Sequence, residues 1–177
     1  MTWTDQIGNL LKQYSSGGAA AAPAPDVHAH FDQVAEAAPP SALAEGLSAA
    51  FKSDQTPAFG QMLSTMFNNS SGEQKAGIIN QIMSSVPPGT LTSLLSGAGL
   101  AGILGGGTGT PQITPEQAQK ISPEAVQQLA RQAHNADPSI VDSVSTFYAQ
   151  HTTLIKTLGG TALTIALAKV AEKQRQA

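Results

Sequence analysis

The chain has 177 residues, enough for one domain with appendages and a real core. A net charge of −3, with only nine Lys and Arg, leaves no basic patch of the kind nucleic-acid binding needs, and the absence of cysteine excludes a disulfide framework, a thiolate metal site and a Cys nucleophile. Charged residues make up 12%, about half the globular norm of roughly 25%, which fits either extensive protein-covered surface or uncharged polar helix faces.

The start, Met1-Thr2-Trp3-Thr4-Asp5, has neither the basic region nor the apolar core of a signal peptide, so a cytoplasmic location is expected. Trp3, Ile7, Leu10, Leu11 and Tyr14 then fall at i, i+4, i+7, i+8 and i+11, which predicts an amphipathic helix of about three turns over residues 1–14, with Thr2 as its N-cap. Residues 15–25 form a tether, Ser15-Ser16-Gly17-Gly18 and four Ala followed by Pro23-Ala24-Pro25, with a flexible Gly/Ser half and a stiffer Ala/Pro half.

Asp26 is positioned to cap the next helix, whose stripe is Val27, Phe31, Val34 and Ala35, and Pro39-Pro40 ends it. Leu43, Leu47 and Phe51 mark a following helix. Thr56-Pro57 is expected to open another, with Phe59, Leu63, Met66 and Phe67 inward. Ser71 and Gln74 have capping-box spacing before Ile78, Ile79, Ile82, Met83 and Val86. Between Lys75 and Glu116 lie forty residues without a charge, in which Leu91, Leu94, Leu95, Leu100, Ile103 and Leu104 alternate with glycines. Its apolar run is too short and too interrupted for a membrane span, which takes about 20 apolar residues.

Thr114-Pro115-Glu116, Ser122-Pro123-Glu124 and Asp137-Pro138-Ser139 each place a capping side chain before Pro at a first helical position. They predict a helix of about two turns, one through His134 and one through His151. A final helix is expected over 153–174, with Leu154, Ile155, Leu158, Ala162, Ile165, Ala166 and Val170 on its apolar side and a bend or close-packing point at Gly159-Gly160.

Chemistry-bearing patterns are few. His28-Ala29-His30-Phe31-Asp32 has metal-ligand character, but on a helix only His28 and Asp32 share a face, so a solvated helix start is the expected role and no metal is predicted. No Gly-x-Ser-x-Gly elbow appears, and the glycine run at 105–107 lacks the Lys and preceding strand of a phosphate loop. No catalytic residue, cofactor or enzymatic activity is therefore expected.

The stretch Thr114-Pro-Glu-Gln-Ala through Ser122-Pro-Glu-Ala-Val-Gln-Gln-Leu-Ala resembles bacterial YidB-like proteins, which are uncharacterised helical proteins with glycine-rich segments beside short Pro-Glu-started helices. The resemblance covers about a quarter of the chain and implies helical structure but no functional residue.

These features predict an all-α fold, an orthogonal bundle of about seven to nine short helices with a tethered N-terminal amphipathic helix. Its expected parts are a docking helix (1–14), a tether (15–25), a helical body (26–104), a Gly-rich linker (105–113) and a C-terminal helical section (114–177). The N-terminal stripe is too large to be buried within one helix, since covering each large apolar side chain contributes roughly 1.5–3 kcal/mol. Its cover is the chain's own body, a neighbouring copy, another protein or a membrane. The leading expectation is a non-enzymatic, self-associating structural protein, a homo-oligomer with Trp3, Ile7, Leu10, Leu11, Tyr14, Leu158, Ala162 and Ile165 at the interface. A peripheral membrane protein using the N- or C-terminal helix and a carrier of a small apolar ligand are the alternatives; no nucleic-acid partner and no transmembrane span are expected.

Overall fold

A computed structural model describes residues 3–16, 26–97, 99–100, 102 and 112–176. The protein is all-α, with no strand among the described residues. Its α-helices are α1 (Trp3–Ser16), α2 (Val27–Ala37), α3 (Pro40–Lys52), α4 (Phe59–Asn68), α5 (Gly72–Ser85), α6 (Pro88–Gly97), α7 (Pro115–Ala118), α8 (Pro123–Ala136), α9 (Ile140–Ala149), α10 (Thr152–Ile155) and α11 (Gly160–Gln176), with a 3₁₀ turn at Lys156–Leu158. The described helices exceed the expected seven to nine because α7 and α10 are single turns of 4 residues each. No described helix is long and apolar enough to cross a membrane.

Capping chemistry sets the starts of α5, α7 and α8. The Ser71 hydroxyl accepts from the Gln74 amide at 3.3 Å, while the Gln74 side chain accepts from the Ser71 amide at 2.9 Å. Thr114 and Gln117 repeat this box at 3.4 and 3.0 Å, and Ser122 accepts from the Ala125 amide at 3.2 Å. Each box satisfies two amides that have no intrahelical acceptor. Thr114 and Gln117 thus cap α7, and Ser122 caps α8.

Several expected boundaries move. Asp26 occupies the N-cap of α2 but makes no side-chain cap bond. Thr56 opens no helix: its hydroxyl donates to the carbonyls of Ala50 (2.6 Å) and Ser53 (3.0 Å), closing the end of α3, and α4 starts at Phe59. Helix α7 has one turn, not two, and α9 ends at Ala149, short of His151. The expected helix over 153–174 is interrupted by Gly159, whose φ of 86° belongs to the left-handed region that suits glycine, so Leu158 lies on the 3₁₀ turn and Ala162 on α11. Thr2, residues 17–25, Ile103, Leu104 and the glycine run at 105–107 lie outside the described residues.

The chain forms two compact units, Met1–Pro57 with Ser145–Ala177, and Ala58–Val144. This grouping departs from a body at 26–104 followed by a C-terminal section at 114–177. Composition suggested a break at the Gly-rich segment, but α5 packs on α7 and α6 on α8 across it. Asn80 ties the far side of that segment down. Its Oδ1 accepts from the Ile113 amide at 2.8 Å and its Nδ2 donates to the Ile113 carbonyl at 3.1 Å. In the same unit α4 lies on α8, joining Phe59, Met62, Leu63, Met66 and Phe67 to Val126, Leu129, Ala130 and Ala133, all buried.

The first unit is built around α11. Six consecutive residues, Ala162 to Leu167, are buried, including Thr164, whose hydroxyl donates to the Gly160 carbonyl at 2.8 Å. Consecutive burial on a helix requires cover on every side, and α3, α1 and α2 supply it. The approach of α3 is closest at Gly46, where a Cβ would lie 2.7 Å from the Ala166 carbonyl oxygen. Glu45 and Lys173 pair at the edge of this contact.

Replacing Gly46 by Ala should destabilise the protein by roughly 1–3 kcal/mol, since a backbone carbonyl has little freedom to yield. Gly89→Ala should instead stabilise α6 by up to about 1 kcal/mol through helix propensity, because its Cβ meets nothing within 4 Å. Urea unfolding of the two variants checks the opposite signs. Asn80→Ala, which strips both partners from the Ile113 backbone, should lose about 1–3 kcal/mol in the same assay.

Candidate docking site of the N-terminal helix

Helix α1 packs on α11 and α2. Ile7, Leu11 and Tyr14, at i, i+4 and i+7, retain 4%, 1% and 6% of their exposure, so in the single chain the stripe is covered by the chain's own helices. Leu10 is half-buried at the edge of the seam, and Asn9, Lys12 and Gln13 face solvent. Trp3 opens α1; its side chain lies outside what the structure describes. On α11, Ala162 and Ile165 are buried within the unit, while Leu158 is half-buried on the preceding turn. The seam forms inside the chain because α11 is apolar on more faces than α3 covers.

The far end of the seam carries a polar contact. The Tyr14 hydroxyl and Nδ1 of His30 on α2 share a hydrogen bond of 2.7 Å, and the rings meet edge to face, with centroids 5.8 Å apart and planes at 81°. Burial pushes the Tyr14 phenol above its ordinary value, and the negative charge of Asp26, just before α2, pushes the same way. The inward face of α2 is Val27, Phe31 and Val34, all nearly fully buried. His30 stands three residues after Val27 and four before Val34, at the border of this stripe.

His28, His30 and Asp32, expected at a solvated helix start, have separate roles. His28 is exposed, His30 bonds Tyr14, and Asp32 pairs with Lys156 at 2.9 Å. Among the described residues no group of three or more His, Asp or Glu is placed to hold a metal. The geometry is that of a receiving groove for a helix, with apolar contact along its length and one hydrogen bond near its end.

Reasoning from sequence missed His30 as the partner of Tyr14 and Lys156 as the partner of Asp32. The first pair is separated by 16 positions and the second by 124. A polar residue bordering an apolar stripe was the one available signal for His30; Lys156 offered none. Compared with family models, with curated proteins and with solved structures, the chain matches none.

The raised Tyr14 value has a pH consequence. Undocked, Tyr14 ionises at its ordinary value of about 10; docked, it holds its proton to higher pH. Docking is therefore fully supported below about pH 10 and is lost as pH rises through the raised value. Thermal unfolding followed into the alkaline range should show this loss in the native chain, and Tyr14→Phe should flatten the alkaline limb. Identical limbs in both proteins would refute this assignment.

Proposed function

We propose that this chain is a non-enzymatic, self-associating helical protein whose α1 seats in the α2/α11 groove of its own chain or of a neighbouring copy. The observation that carries this reading is the seam itself. An amphipathic helix is buried through Ile7, Leu11 and Tyr14, yet it joins the rest of the unit only through a run of Gly, Ala and Pro at residues 17–25. An arm so attached makes the same contacts in a partner's groove as in its own, so exchange is a low-cost route to oligomers. The low charge of the chain, 12%, favours protein neighbours over solvent. Nothing on α1 favours a lipid surface over a protein groove: its described exposed positions, Asn9, Lys12 and Gln13, carry one cation where interfacial helices carry several.

Three buried side chains at roughly 1.5–3 kcal/mol each hold the arm down by several kcal/mol, so the open state is rare and exchange is slow. A short connection also keeps the arm near its own groove at an effective concentration in the millimolar range. Closure on the same chain therefore dominates at micromolar concentration, and exchange takes over as the chain is concentrated or the connection is shortened.

Deleting residues 19–24 tests this directly. Removing six of the nine residues restricts the arm's return to its own groove, so static light scattering should show a shift from monomer toward dimer with α1 still protected from hydrogen exchange. A shortened chain that stays monomeric, with α1 amides exchanging freely, would sink the proposal.

A further inference from the structure

The stripe on α1 has an internal ambiguity. Displacing the arm by four residues, one helical turn of about 5.4 Å, puts Trp3 where Ile7 sits, Ile7 where Leu11 sits and Leu10 where Tyr14 sits. All three replacements are large and apolar, so burial alone does not choose between the two positions. The hydrogen bond does. In the displaced position a leucine faces His30, and Nδ1 loses the hydroxyl that now lies 2.7 Å from it.

We infer that the Tyr14–His30 pair is a register pin, selecting which turn of an arm helix occupies the groove. A polar pair set into an apolar helix seam is a well-attested device for specifying register. The pin matters most for an arm that leaves and re-enters a groove, the reading proposed above on which it rests. Each re-entry, into the same chain or a copy, must find one position among two of similar apolar fit. One neutral hydrogen bond gives on the order of a tenfold preference. Tyr14 is the only tyrosine on the arm, the other being Tyr148, and no other stripe residue carries a hydroxyl.

The chain has no native cysteine, so spin labels can be placed specifically at Gln13→Cys on α1 and Gln33→Cys on α2, both exposed. Pulsed electron–electron distance measurements on this labelled protein should give one dominant distance. Adding Tyr14→Phe should produce two populations of comparable size, differing by up to one turn, about 5.4 Å. His30→Phe should do the same from the other side of the bond. Hydrogen exchange of α11 on the same samples verifies that the unit remains folded. A single unshifted distance in both variants would overturn the pin and leave the pair as a stabilising contact. An arm that comes off altogether would overturn it too, since a pin chooses among positions that apolar contact already sustains. Light scattering on these samples reports self-association separately, so a monomeric chain with two registers would refute the exchange reading and keep the pin.

Discussion

The burial of α11 on all sides is the constraint from which the first unit follows. A helix with six consecutive buried residues cannot be covered by one neighbour. Small residues let α3 come close on one side, to the point where Gly46 leaves no room for a methyl group against the Ala166 carbonyl. The remaining faces need α1 and α2. The amphipathic stripe of α1 and the excess apolar surface of α11 thus answer each other, although they lie at opposite ends of the described chain. The same complementarity makes α1 part of the core of that unit.

Local chemistry was legible in the sequence. Ser71 with Gln74, Thr114 with Gln117, and Ser122 before Pro123 are signals contained within four residues, and each produced the expected helix start. Gly159-Gly160 was recognisable as an interruption because a left-handed residue favours glycine wherever it occurs. Thr56 misled, since a Thr-Pro pair that resembles a helix start can equally place its hydroxyl on the carbonyls behind it. Which use prevails depends on where α3 ends.

Long-range partners were not legible. Nothing near His30 names Tyr14, and nothing near Asp32 names Lys156; both pairings exist because α1, α2 and the turn before α11 converge. The division into units was hidden for a related reason. A run of glycine without charge looks like a linker, but Asn80 holds Ile113 by both backbone groups, and the helices on either side of the run pack together. Composition records how a segment can bend, and says little about whether its two ends are held.

The two units also differ in how they meet vectorial synthesis. Residues 58–144 are continuous, so every helix they need emerges in one interval, and domains generally fold as units when their chain becomes available. Residues up to 57 have no such closure: the apolar faces of α1, α2 and α3 emerge early and wait for α11, which follows every other described helix. High sequence separation between partners slows folding, so the unit that begins first is completed last. Through that interval the nascent α1 has a ready apolar face whose partner on α11 has not yet been made.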